Sequence, residues 1–265
     1  MAIYVCSDIH GQYGLFLRAL EQVGFSDGDQ MYILGDVIDR GPDSIPLLQD
    51  VIRRKNITLL LGNHEFMMHQ YLRRHSDGSP WMHPANGGRK TLTAFSLLPD
   101  GERREIRDFL SDLYLQIEVE AGGRAYLLSH SYYADGGTKQ WHDVCYEDVY
   151  RAVWESPWRS YRIHLSFYDD GMEHIVGHKP VQTIDEEYWP GGTMPEMPHY
   201  LHDPAHHISD IDLGCAVIPF LHDESLPERY RERYASACLC VLDLEKHAAG
   251  DPDAAVYVMP DAVQR

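Results

Sequence analysis

The sequence predicts an α/β fold (α+β in the looser sense) with two β-sheets packed face to face and flanked by helices. Three observations carry that expectation. The first 65 residues alternate short, continuous apolar runs with apolar residues at helical spacing, the pattern of strands buried in a parallel sheet. The charged ends of the first three runs recur regularly, Asp36 following Asp8 by 28 positions and His64 following Asp36 by 28. The second half then turns strand-rich. No linker and no solenoid-type repeat divides the 265 residues, so 1–265 reads as a single domain.

Ile3–Cys6 reads as a buried strand, and Leu15, Phe16, Ala19, Leu20 and Val23 fall on one helical face. Met31–Leu34 is the second strand. Pro42 and Asp43 then open a helix through Ile45, Leu47, Leu48, Val51 and Ile52, and its basic end at 53–55 suits the helix dipole. Ile57–Leu61 is the third strand, with another helix starting near His64. Ser76–Arg89, rich in Pro and Gly, predicts a long surface loop. Beyond it come a helix over Glu102–Leu110, strands over Leu113–Val119 and Ala125–Leu128 around the Gly122-Gly123 turn, and a helix over Val144–Val153. Strands follow at His174–Val176, Ile211–Leu213, Ala237–Leu242 and Ala255–Met259. Residues 185–210 show no clear periodicity.

Hydrophobic residues make up 44% and charged residues 24%, enough for a sizeable core. The formal charge of −18 disfavours nucleic acid or anionic lipid as a general surface partner. It favours, weakly, basic phosphopeptides or selected proteins, an effect screened by salt. The start of the chain does not read as a signal peptide, and no run is long enough to span a membrane. The five cysteines, odd in number and without a C-x-x-C pair, read as reduced thiols in a cytoplasmic protein, with Cys238 and Cys240 packed on one strand face.

Charge at a strand tip is costly unless something binds there. Three successive tips carry it: Asp8-Ile-His10-Gly11, Gly35-Asp36-Val-Ile-Asp39-Arg40-Gly41 and Gly62-Asn63-His64-Glu65. In parallel sheets the carboxyl ends of neighbouring strands meet, which brings these clusters together. Carboxylate and imidazole suit divalent first-row metals, and a carboxylate can bridge two. Two ions about 3.5–4 Å apart can activate water and polarise a phosphoryl oxygen. A lone D-x-H or G-D is close to noise; the three in order are not.

These motifs resemble the signature of the phosphoprotein phosphatases of the calcineurin-like metallophosphoesterase superfamily, GDxHG, GDxxDRG and GNHE. Only Ser7 departs, standing where the family has glycine. The segments 39–44, "DRGPDS", and 86–92, "NGGRKTL", are closest to the bacterial and phage serine/threonine phosphatases. The resemblance implies a four-layer α-β-β-α sandwich with two central mixed sheets. It implies two divalent ions, manganese first and Fe, Zn, Co or Mg as alternatives, with Asp8 and His10 on the first ion, Asp36 bridging and Asn63 on the second. His130 in "LLSH" and His178 in "IVGHKP" match the two remaining histidines, although Ser131 and Lys179 depart from common neighbours. "IDLGC" at 211–215 reads as structural support.

His64 would protonate the leaving oxygen and Asp39 would orient it; the competing reading makes His64 another ligand or a helix-start residue. Arg40 would clamp phosphate, against a plain surface ion pair. A second phosphate arginine is expected at Arg159, then Arg162, with Arg151 the third in range. Glu65 suits a helix first turn and takes no catalytic role. His199, His202, His206 and His207 read as a solvated loop, and Trp81, Tyr132 and Tyr133 as packing before substrate groove.

The expected reaction is direct hydrolysis of a phosphomonoester by a metal-bridging hydroxide, on phosphorylated proteins or peptides (serine or threonine first, tyrosine also). No C-x5-R loop follows Cys6, Cys145 or Cys215, and no Walker motif is present. The rivals are a dinucleoside-polyphosphate (diadenosine tetraphosphate) hydrolase, whose relatives tend to read GNHD, and a non-catalytic phosphoprotein-binding module. Oligomeric state is not legible.

Overall fold

The computed structural model describes residues 1–133, 137–158 and 170–261. In chain order the elements are β1 (Ile3–Cys6), α1 (Tyr13–Gln22), β2 (Gln30–Ile33), α2 (Ser44–Arg53), β3 (Ile57–Leu59), α3 (Asn63–Leu72), α4 (Gly88–Ser96) and α5 (Asp100–Ser111). Then follow β4 (Tyr114–Ala121), β5 (Arg124–Ser129), β6 (Lys139–Gln140), α6 (Tyr146–Trp154), β7 (Glu173–Val176), β8 (Leu201–Asp203), β9 (Ile208–Asp210), α7 (Glu228–Arg233), β10 (Leu239–Asp243), α8 (Leu244–Ala249) and β11 (Ala255–Val258).

The strands form two mixed sheets. The first runs β11-β10-β1-β2-β3 and the second β6-β4-β5-β7-β9-β8. β1, β2 and β3 are parallel, as are β5, β7 and β9. Because side chains alternate along a strand, β1 serves two cores. Ile3 and Val5 pack with Tyr126, Leu128, Ile175 and Ile208 between the sheets, while Cys6 joins Phe16, Ala19, Leu47 and Leu48 under α1 and α2. The two-sheet sandwich expected from the sequence is the fold found. All five cysteines are free thiols, and among the described residues no helix is long and apolar enough to cross a membrane.

Three local expectations are corrected. The strand placed at Ile211–Leu213 lies at Ile208–Asp210 instead. Ile211 and Leu213 are buried, but the Asp210 and Asp212 carboxylates take the backbone amides of Asp212 (3.1 Å) and Gly214 (2.8 Å), replacing the ladder with turns. Residues 185–210, without periodicity in the sequence, contain the β8–β9 hairpin. The loop at Ser76–Arg89 is no mere surface excursion: Trp81 is 1% exposed, and the chain is helical from Gly88.

Candidate active site

The tips of β1, β2 and β3 converge, and backbone bonds lock them in register. The amides of His10 and Gly11 donate to the carbonyls of Asp36 (2.9 Å) and Val37 (2.7 Å), and that of Gly41 returns to His10 (3.0 Å). Glu65, fully buried, accepts from the amides of Asp36 (2.7 Å), Val37 (3.0 Å) and Gly62 (3.2 Å). It therefore does more than suit a helix dipole: one carboxylate splices the second loop to the third. A side chain at Gly62 would collide with Asp36 Oδ1, and one at Gly177 with Ser7 and Asp8.

Eight non-glycine residues among those described have positive φ, and six are site positions: Asp8, His10, Asp36, Asp39, Arg40 and His178. Each such conformation costs about 1–3 kcal/mol. Strain concentrated this way persists only where the surrounding bonds over-determine the loops.

The side chains form two overlapping groups. His10 Nε2 lies 3.9 Å from Asp8 Oδ1 and 3.6 Å from Asp36 Oδ2. Asp36 Oδ2 also lies 3.7 Å from His130 Nε2, while Asn63 Oδ1 stands 3.1 Å from both His130 Nε2 and His178 Nδ1. Asp36 belongs to both groups. The tautomers show what these atoms need. His10 Nδ1 donates to the Ile38 carbonyl (3.0 Å) and His130 Nδ1 to the Leu34 carbonyl (2.8 Å), which leaves each Nε2 a lone pair facing inward. His130 Nε2 thus meets Asn63 Oδ1 acceptor to acceptor, a repulsion that a cation between them removes. The second oxygen of Asp8 is occupied by the His178 amide (2.8 Å) and the Ser7 hydroxyl, so Ser7, the one motif departure, steadies a ligand candidate.

Electrostatics agree. Burial, then the charges of Arg40 and His64, hold His10 well below the usual imidazole range. Burial, then His130, pushes His178 down to about 3. Burial works to raise Asp36, but the imidazoles of His130 and His64 beside it and the His64 amide outweigh burial and lower the carboxyl. The imidazoles of His10 and His178, held neutral beside the Asp36 carboxylate, are donors ready for divalent ions. Two groups of side chains, His10-Asp36-His64 and Asp36-His130-His178, are close enough to hold a metal.

His64 has a second arrangement to satisfy. Its Nδ1 bonds Asp39 Oδ2 at 2.6 Å, and its Nε2 is buried without a partner among the described residues, 3.9 Å from Asp36 Oδ2. Asp39 in turn accepts from Trp81 Nε1 (2.7 Å) and the Thr91 hydroxyl, and its amide donates to Ser44 Oγ (2.8 Å). Sequence reasoning missed these supports. Their only signal is the 86–92 segment, whose Gly87 packs on the Arg40 backbone. Arg40 Nη1 lies 3.3 Å from His10 Nε2, and its Nε is buried and unpartnered.

Other candidates fall elsewhere. Arg159 and Arg162 lie outside the described residues. Arg151 faces Glu155 one helical turn away (3.9 Å). His199, His202, His206 and His207 spend their Nδ1 atoms on Tyr200, Ser209, Asp203 and Glu173, with no metal-holding group among the described residues there. Tyr132 and Tyr133 stack on one another (5.4 Å). Asp210 and Asp212 act as turn-formers, Asp210 also accepting from Trp158 Nε1 (2.8 Å).

A family model described as calcineurin-like phosphoesterase matches residues 1–209. The chain belongs to the calcineurin-like phosphoesterases. This phosphoesterase is 37% identical over 109 residues to serine/threonine-protein phosphatase 2 of Escherichia coli, covering 41% of this chain and 46% of that one. It is 39% identical over 67 residues to the symmetrical bis(5'-nucleosyl)-tetraphosphatase of Nitrosomonas europaea, covering 24% and 25%. The matches therefore span less than half the length of these relatives. In fold it resembles a protein serine/threonine phosphatase from Saccharomyces cerevisiae, with a TM-score of 0.57 at 15% identity over 100% of this chain and 81% of the other. The family implies divalent metal ions, and the paired donor groups fit them.

Proposed function

We propose that this phosphoesterase is a manganese-dependent phosphomonoesterase acting on phosphoserine and phosphothreonine in proteins, with phosphotyrosine as a lesser substrate. Bound ions would supply Lewis-acid charge and a nucleophilic water at neutral pH; Asp8, His10, Asp36, Asn63, His130 and His178 would hold them. Arg40 would bind the non-bridging phosphoryl oxygens through its guanidinium, and His64 would deliver a proton from Nε2 to the departing oxygen.

One observation carries the choice of substrate. His64 Nε2 is the free end of a buried relay whose other end, Asp39, is fixed by Trp81 and Thr91. A serine or threonine alkoxide is a poor leaving group that needs a proton in the transition state. A nucleotide leaving from a phosphoanhydride needs it far less. The expected GNHE-versus-GNHD distinction carries little weight, because the bonds of Glu65 described above run to backbone amides and touch no substrate position.

The rival reading, hydrolysis of dinucleoside polyphosphates, is favoured by the likeness to the Nitrosomonas europaea tetraphosphatase. Protein purified and assayed with added Mn²⁺ on a phosphoserine peptide, a phosphotyrosine peptide and diadenosine tetraphosphate separates the two. Metal-dependent turnover of the phosphoserine peptide is the expected result; turnover of the tetraphosphate alone overturns the proposal. Elemental analysis of the same preparation identifies the ion.

A further inference from the structure

A groove of about 540 Å³ is lined by Arg40 and, among the described residues, by none of the candidate metal ligands. Its polar lining includes Gln12, Arg40, Lys90 and His222, and its apolar wall includes Leu221 and Met259. Gln12 Nε2 and Arg40 Nε are both buried without hydrogen-bond partners among the described residues. Lys90 stands in the first turn of α4, whose N-cap Gly87 lies against the Arg40 backbone. The one acidic residue lining the groove among the described residues, Asp261, is ion-paired with Arg18. In a chain of net charge −18, a groove lined by two cations, an amide donor and an imidazole is a local reversal of sign. By contrast, the cavity at Gln182 and Ala235 is lined by Asp185, Glu186 and Glu232.

We infer that this groove is a subsite for an anionic side chain flanking the phosphorylated residue, so that the enzyme selects acidic phosphopeptides. The inference rests on the phosphoprotein reading above. It runs against the weak expectation from overall charge, because a nearby pair in a partly desolvated groove outweighs distant charges screened over about 8–10 Å. Lys90 and His222 would meet a carboxylate or second phosphate on the neighbouring residue, Gln12 would donate to it, and Leu221 and Met259 would cover the aliphatic stem.

The test compares phosphoserine peptides carrying Glu, Gln or Lys on either side of the phosphoserine. kcat/KM for the Glu peptide is expected to exceed that for the Lys peptide by about tenfold, mainly through KM, and to fall toward equality as salt rises from about 0.05 to 0.5 M. Lys90→Glu should invert the order, and His222→Ala should shrink it. Turnover of all peptides with no flank preference overturns the subsite while leaving the phosphoprotein reading intact. No phosphopeptide turnover, with p-nitrophenyl phosphate still hydrolysed, overturns that reading and the subsite with it. Lys90→Glu impairing diadenosine tetraphosphate alone assigns the groove to a polyphosphate chain, which also overturns the proposal. The salt series on the parent protein keeps the test decisive should a variant fail to fold.

Discussion

At the scale of single residues, the site is set by which atoms are left without a partner. His64 Nε2 and Arg40 Nε are buried and unsatisfied, a condition costing about 1–3 kcal/mol each unless something binds. Asp39 is the opposite case, a carboxylate fully used by His64, Trp81 and Thr91. This predicts a graded series. His64→Asn should lower kcat about 10²–10⁴-fold on alkyl phosphates and much less on p-nitrophenyl phosphate, whose leaving group needs no proton. Asp39→Asn should fall close to it, and Trp81→Phe should lose roughly tenfold, with the same leaving-group dependence. A uniform loss across leaving groups would show instead that these changes only disturb packing. Trp81 and Thr91 lie 42 and 52 positions from Asp39, so nothing around Asp39 itself announces them. Asp8, Asp36 and Asn63 are legible because each stands at the end of an apolar strand.

At the scale of elements, strand tips do the positioning. Gly62 accommodates the Asp36 carboxylate where a Cβ would collide with it. Gly62→Ala should therefore displace Asp36 and cut kcat/KM by at least about a hundredfold, as misplacement of the chemistry by roughly an ångström does; circular dichroism separates this from unfolding. Away from the site, α8 is tied to the second sheet through His247, whose Nδ1 bonds Tyr126 of β5 at 3.0 Å. Burial, then the charge of His202, pushes His247 down to about 4, against the counter-pull of Glu173. Its folded-state value is depressed, so the unfolded chain binds the proton more tightly. Its stabilising contribution is full above about pH 6.5 and drains away as pH falls toward 4, roughly 2 kcal/mol by pH 5. Urea titrations at pH 7.5 and 5 should show His247→Gln losing less stability on acidification than the parent by that amount; equal losses would refute it. The parallel β1–β2–β3 unit is legible because buried strands write continuous apolar runs. β8 and β9 are not, because Pro, Gly and His dominate their surroundings, and the apolar pair Ile211 and Leu213 is buried without joining the ladder.

At the scale of the whole molecule, the ligand candidates come from both sheets. The first sheet carries Asp8, His10, Asp36 and Asn63 at its tips, while His130 follows β5 and His178 follows β7 in the second. Between them stand Asn63 and its acceptor-to-acceptor approach to His130, with His178 on the same amide oxygen. Ions held there would join one sheet to the other and relieve that repulsion, so metal binding should be linked to the stability of the sandwich. Free Mn²⁺ at about a hundred times its Kd should add about 2.7 kcal/mol, raising Tm by roughly 5–10 °C for a chain of this size. Chelation should reverse the shift, and readdition of metal should restore it. His130→Ala and His178→Ala, each cutting a tie from the second sheet, should both abolish most of the rise although the first-sheet residues remain. A Tm indifferent to chelation and readdition, or a full rise surviving in both variants, would mean that any ions bind on one sheet alone and that the two halves meet without them.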